Sequence, residues 1–266
     1  MKKRIVTSLL FGTLWLGAIC LNSFHIFWLL VLILSALGLY EFFTISLKGL
    51  ELVYRPLGIA IGLLPVIGSF SGRPDLVLGS FVLALFLAAL LIIRIYGTNK
   101  INEFIFLAKI CSGLCFVGLT SSHLILLMAE TDGMRWLLLL TLITTASDTG
   151  AYFTGTYLGR HKLCPAISPG KTVEGFAGGL VSALFVTLLC GPLLFGNINL
   201  TELAILSLVL SCLGVAGDMT ESIFKRSSLV KDSGSILPGH GGILDRVDSI
   251  LAAAPALYYV VTSGMV

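Results

Sequence analysis

The run from Leu76 to Ile93, Leu-Val-Leu-Gly-Ser-Phe-Val-Leu-Ala-Leu-Phe-Leu-Ala-Ala-Leu-Leu-Ile-Ile, holds no charged residue and lies between Asp75 and Arg94. A hydrocarbon core about 30 Å thick needs roughly 20 mostly apolar helical residues to cross it. Strands of a membrane barrel would alternate polar and apolar positions over about ten residues. This run does not alternate, and it is too long for such a strand. Backbone amides in lipid must be satisfied internally, which a helix does by itself. The stretch reads as a membrane-spanning helix.

Outward from it, similar runs lie near Ile5–Leu21, Phe24–Leu47, Pro56–Phe70, Phe104–Ala129, Met134–Tyr157, Val173–Phe195, Thr201–Asp218 and Val247–Val266. The third in chain order, Pro56–Phe70, is short for a crossing. Of the 266 residues 56% are hydrophobic and 12% charged, about half the charge usual in soluble domains. Mean hydropathy is +1.01. Soluble, disordered and disulfide-scaffold classes are excluded. The expected fold is all-α, a polytopic membrane bundle of about nine transmembrane helices. Residues 1–133 form an N-terminal group of helices, and residues 134–266 a second group that carries the polar clusters. Lys2-Lys3-Arg4 before an apolar run could open a signal peptide. Ile19 is too bulky before a processed Cys20 and further spans follow at once, so the run is read as an uncleaved first span. The six cysteines form no metal or redox pattern and read as apolar packers. Trp15, Trp28 and Trp136 read as interface anchors.

Orientation follows the basic residues. Fourteen of the seventeen, from Lys2, Lys3 and Arg4 through Lys48, Arg55, Arg94, Lys100, Arg160 and Lys162 to Arg246, fall on the tail and the even-numbered loops. Arg73 and Arg135 fall on the other side, and Lys109 is near enough to the basic side to snorkel. The N-terminus and the site are therefore expected to face the cytoplasm, in a protein integral to the cytoplasmic membrane.

Three polar blocks lie in the second group: Ala146–Tyr152, the loop Gly159–Gly175, and Gly217–Ser249. Asp148 sits inside an apolar span, where a carboxylate is expensive and usually functional. Asp218, Ser222 and Lys225 are spaced i, i+4, i+7, so a helix puts them on one face. Asp245 and Asp248 are i, i+3. Carboxylate oxygens are hard ligands suited to Mg²⁺, and Lys225, Arg226 and Lys231 beside Gly239, Gly241 and Gly242 suit phosphate. The bland alternatives are ion pairs: Lys225 with Glu221, and Arg246 with Asp245 or Asp248. Glu174 could cap the helix that follows it. Gly175 and Gly179 read as a close helix–helix contact.

The pattern Ser222-x₂-Lys225-Arg226-x₄-Lys231-Asp232-x-Gly234-x₃-Pro238-x-His240-Gly241-Gly242-x₂-Asp245-Arg246-x-Asp248 resembles the signature of phosphatidate cytidylyltransferases, or CDP-diacylglycerol synthases. The blocks Ser147-Asp148-Thr149-x-Ala151-Tyr152 and Ser168-Pro169-x-Lys171-Thr172-x-Glu174-Gly175 resemble that family too. The motifs span residues 146–250, and the first half resembles the family only in being hydrophobic. The resemblance implies transfer of a cytidylyl group from CTP to phosphatidate, giving CDP-diacylglycerol and pyrophosphate. It also implies Mg²⁺, with a second cation left open.

That chemistry suits the residues. A phosphate monoester is already ionised near neutral pH, so positioning and charge neutralisation matter more than a strong base. Asp218 and Asp245 are the first metal-ligand candidates, with Asp248 and Asp148 next. Asp218, Asp245, Lys225 and Arg226 are the catalytic candidates. Lys171, Ser222, Lys231, Asp232, His240, Gly241, Gly242 and Arg246 are substrate-binding candidates. A polar cavity is expected between spans six, eight and nine. Expected partners are CTP, phosphatidate and membrane lipid, with no nucleic acid and a homodimer left open. The competing classes are a CTP-dependent polyprenol or phytol kinase and an ion-coupled transporter. The transporter would set its carboxylates near the midplane on broken spans.

Overall fold

The computed structural model describes residues 2–47, 51–96, 102–234, 236 and 241–266, with the side chains of 2–5 and 51–53 excepted. Lys48, Lys100 and His240 lie outside the described residues, as do the side chains of Lys2, Lys3 and Arg4. The chain runs α1 (Lys2–Cys20), α2 (Phe24–Ser46), α3 (Glu51–Gly68), α4 (Pro74–Ile95), α5 (Glu103–Gly113), α6 (Thr120–Ala129), α7 (Gly133–Tyr157), β1 (Lys162–Cys164), β2 (Ser168–Thr172), α8 (Val173–Phe195), α9 (Leu200–Ser227) and α10 (Leu244–Thr262).

Local chemistry explains the ends. Pro74 opens α4 with Asp75 in its first turn and Arg94 in its last, as a missing N–H and the helix dipole favour. The Asn102 side chain accepts from Ile105 N at 3.0 Å and caps α5. A six-residue π-helical stretch, Leu114–Leu119, joins α5 to α6. The three read together as one apolar span, Glu103–Ala129.

Among the described residues, six helical stretches are long and apolar enough to cross a bilayer: Phe24–Ser46, Tyr54–Ser71, Pro74–Ile95, Glu103–Ala129, Val173–Phe195 and Leu200–Ser227. Nine were expected. The apolar part of α1, Val6–Cys20, is shorter, while α7 and α10 form but carry the polar residues of the first and third blocks. α7 and α10 lose apolar content to those residues, whereas α9, which carries Asp218 and Glu221, remains apolar enough to cross.

The chain divides into two compact units, one of Met1–Ala129 with Ser228–Arg246, the other of Glu130–Ser227 with Val247–Val266. In the first, Phe27, Leu39, Phe42 and Phe43 of α2 are buried, and Lys109 reaches the Ser46 carbonyl at the end of α2 at 2.5 Å. Trp15 is buried and packs on Phe27. In the second unit Trp136 is buried against Phe195. These two indoles fill the interior of their units.

The second unit is knit by small residues. A Cβ on Gly175 would stand 2.9 Å from the Ala151 carbonyl, and one on Gly179 2.9 Å from the Ser147 carbonyl, so α7 and α8 touch backbone to backbone. The Ser147 and Ser211 hydroxyls bond across α7 and α9 at 2.6 Å. Thr187 donates to Ser207 between α8 and α9 at 2.9 Å. Such hydroxyl contacts between helices hold bundles together where lipid offers no hydrophobic gain.

Candidate active site

The loop Gly159–Gly175 is a structured clasp. β1 and β2 pair antiparallel with Lys162 opposite Thr172 and Cys164 opposite Ser168. Thr172 caps α8 by accepting from Gly175 N at 3.1 Å. Glu174, in the first turn of α8, reaches back to the hairpin. It accepts from Arg160 N at 3.0 Å and His161 N at 3.2 Å, and meets His161 Nδ1 at 2.6 Å. Its carboxylate thus ties α8 to the hairpin's approach. The hairpin projects Lys171 toward α9, where Nζ lies 2.7 Å from Asp218 Oδ2.

α9 runs nine residues past the expected end of its span, through Lys225 and Arg226. The third block therefore begins on helix, as its spacing anticipates. Ser222 donates toward Asp218 Oδ1 at 3.5 Å. Lys225 pairs with Glu221 at 2.6 Å, so the ion-pair alternative is what the side chains adopt. Arg226 Nε donates to the Ile167 carbonyl at the hairpin turn at 3.3 Å.

Asp248 of α10 comes against α9 because residue 217 is glycine. A Cβ there would lie 2.7 Å from the Asp248 carbonyl and 2.5 Å from Ala252 Cβ. Carboxylate oxygens of Asp218, Glu221 and Asp248 all fall within 4.8 Å of one another, with Glu221 and Asp248 buried. Asp148 is close enough to Asp248 for their charges to interact. Three hard oxygen donors at this spacing repel one another and suit a small divalent cation. Gly217→Ala should force α9 and α10 apart. Overpacking of this kind costs about 1–3 kcal/mol, and a lowered melting temperature in detergent together with reduced activity is the expected result.

Beside this cluster opens a cavity of about 530 Å³, lined by Asp148, Tyr152 and Thr156 of α7, Ser168 and Lys171 of the hairpin, Phe176 of α8, and Val215 and Asp218 of α9. It was expected between spans six, eight and nine. Its walls are instead α7, the hairpin, α8 and α9, because the close α7–α8 contact carries the hairpin over the opening. Its lining combines the ionic Asp148, Lys171 and Asp218 with the aromatic Tyr152 and Phe176.

The remaining signature residues belong to the first unit. Lys231, Asp232 and Arg246 are exposed there. Gly241 adopts φ +82°, a left-handed conformation that glycine takes freely. Asp245 Oδ2 accepts from Gly242 N at 2.9 Å, Ser233 N at 3.2 Å and Ser233 Oγ at 3.0 Å. Asp245 thereby organises the turn into α10. Two acidic residues escaped the sequence reading as site groups. Glu221 was read only as a partner for Lys225, although its i+3 spacing from Asp218 marks the same helix face. Glu41 lies inside an apolar span, the feature that singled out Asp148, yet no motif surrounds it.

The Cytidylyltransferase family profile matches residues 2–263. Phosphatidate cytidylyltransferase of Bacillus subtilis (strain 168) is 36% identical over 270 residues, covering 98% of this chain and 97% of its own. That of Staphylococcus saprophyticus is 38% identical over 262 residues, covering 97% of each. That of Staphylococcus aureus (strain COL) is 43% identical over 168 residues, covering 62% of this chain and 64% of its own. Similarity thus extends well beyond residues 146–250 into the first half, where the motifs gave no sign of it. The chain belongs to the cytidylyltransferase family, and its likeness to the phosphatidate cytidylyltransferases runs nearly end to end.

Proposed function

We propose that the chain transfers the cytidylyl group of CTP to phosphatidate in the membrane, giving CDP-diacylglycerol and pyrophosphate. The observation that carries this reading is the acidic trio of Asp218, Glu221 and Asp248 beside the Lys171–Asp218 pair in the wall of the cavity. A phosphatidate phosphate oxygen attacks the α-phosphorus of CTP. The bond between the α-phosphorus and the bridging oxygen breaks, and that oxygen leaves with pyrophosphate. The nucleophile arrives ionised, so the chain's work is to bring two anions together.

Asp218 and Asp248, with Glu221 and Asp148, are proposed to hold Mg²⁺, and Asp245 to serve at the turn into α10. Bound there, Mg²⁺ would neutralise charge on phosphate oxygens. Lys171 exchanges its carboxylate partner for phosphate when substrate enters, while Lys225, Arg226 and Lys231 supply further positive charge. Ser222, Asp232, His240, Gly241, Gly242 and Arg246 complete the proposed substrate contacts. The aromatic residues that line the cavity, Tyr152 and Phe176, suit the glycerol and acyl part of a lipid. Purified protein given radiolabelled CTP, Mg²⁺ and phosphatidate should form a labelled lipid. The label sits in the cytidine for this reaction, and no labelled lipid should form without phosphatidate; labelled lipid formed from dolichol and CTP carrying its label in the γ-phosphate would favour the kinase class instead.

The same reading places the nucleotide side in the cytoplasm. Cysteines introduced at Ser228 and Asn197 in intact cells check it. An impermeant thiol reagent should reach Asn197→Cys from outside and spare Ser228→Cys, and the reverse pattern would overturn the orientation.

A further inference from the structure

Glu41 is the only Asp, Glu, Lys or Arg of α2, and it is 1% exposed. A buried carboxylate in an apolar span is costly and needs hydrogen-bond donors to persist. Glu41 finds its donors 192 to 203 residues away along the chain. Its Oε2 accepts from Leu244 N, the first residue of α10, at 3.0 Å, and from Ser233 Oγ at 3.3 Å. Ser233 in turn stands 3.0 Å from Asp245 Oδ2 through the same hydroxyl, whose single proton serves one carboxylate at a time. Two glycines of the segment close over the carboxylate: a Cβ on Gly234 would collide with Glu41 Oε1, and one on Gly242 with Oε2. Ser233, Gly234, Gly242 and Leu244 are all packed around this one side chain.

We infer that Glu41 is a positioning residue for the transfer reaction: its buried carboxylate, anchored on α2, fixes the Ser233 hydroxyl and the Leu244 amide, and so sets the turn that carries Gly242 and Asp245. The inference rests on the cytidylyltransferase reading of the signature segment. Glu41 acts through Ser233 and the start of α10. What matters is the reach of its acceptor oxygen. Oε1 accepts no hydrogen bond among the described residues, so an amide nitrogen in its place forfeits no acceptor contact there.

The test compares Glu41→Gln, which keeps full length without charge, with Glu41→Asp, which keeps charge but withdraws the oxygen by one methylene. Trp28→Phe, which loses the bond to the Val66 carbonyl and trims the ring packed edge-on against Phe70, is the stability control within the same helix. In Glu41→Asp kcat should fall roughly a hundredfold, the order that a misplaced site group costs, with KM for CTP little changed. Hydrogen exchange of the Leu229–Arg246 peptide should speed up in parallel. Glu41→Gln should restore most of both, and Trp28→Phe should leave kcat unchanged. Activity in Glu41→Asp equal to or above that of Glu41→Gln would overturn the inference, as would equal losses in Trp28→Phe at matched melting temperature. If the wild type makes no labelled lipid from CTP and phosphatidate, the functional reading fails instead. The exchange rates of the two variants then still decide whether Glu41 sets the segment.

Discussion

Asp248→Asn is expected to lower cytidylyl transfer by roughly a hundred- to a thousandfold, the cost of losing one important electrostatic contact. Asparagine keeps the size of the side chain and can still accept the Ser249 amide, which reaches Asp248 Oδ1 at 2.7 Å. The change therefore removes charge and little else. Stability separates the roles. Carboxylate oxygens of Asp218, Glu221 and Asp248 share a space 4.8 Å across, where like charges disfavour one another. Without divalent cation, the variant should melt no lower than the wild type. Mg²⁺ should raise the melting temperature of the wild type, because a ligand that binds only the folded state stabilises it. That rise should shrink or vanish in Asp248→Asn, and high Mg²⁺ should recover part of the activity. An unchanged Mg²⁺ response in the variant, with normal turnover, would remove Asp248 from the metal site. Glu202→Gln, an exposed acidic change beside Asn199, controls for loss of charge alone.

How much of this could be read from the chain depends on where the information sits. Uncharged runs such as Leu76–Ile93 announce helices because no other structure satisfies a backbone in lipid. α7 and α10 were also legible, although their polar residues take them below the apolar content of a simple span. The spacing of Asp218, Ser222 and Lys225 gave a helical face, and α9 bears it. The hairpin at Lys162–Thr172 was hidden, since its strands are three and five residues long and no periodicity emerges from so few positions. The partners of charged groups were hidden as well. Glu174 was expected to serve the helix it begins, yet it holds Arg160 and His161. Lys171 was placed among phosphate ligands with no means of seeing that Asp218 would be its neighbour. Glu41 shows the limit most plainly, because its role depends on hydrogen bonds to Ser233 and Leu244, nearly two hundred residues away. Periodicity and motif spacing are local signals, and contacts of that separation leave no trace in them.

Lys225→Met is expected to cost both stability and activity, and a second substitution tells the two losses apart. Lys225 Nζ lies 2.6 Å from Glu221 Oε2, with the Glu221 side chain 1% exposed. Taking away the ammonium from a buried pair while leaving its carboxylate typically costs about 3–5 kcal/mol. The single variant should therefore melt well below the wild type. Glu221→Gln combined with Lys225→Met replaces the pair by neutral groups of similar size, and such replacements are often neutral or stabilising. The double variant should thus regain most of the lost melting temperature. Activity should not follow. If Glu221 contributes an oxygen to the acidic trio and Lys225 meets phosphate once substrate enters, the double variant lacks both contributions and stays inactive despite folding well. Recovery of transfer along with stability would mean that the pair only braces the end of α9. The roles of Glu221 and Lys225 would then pass to Asp218, Asp248 and Lys171 alone. Melting temperature and labelled-lipid formation, measured side by side for the two single variants and the double, decide between these outcomes.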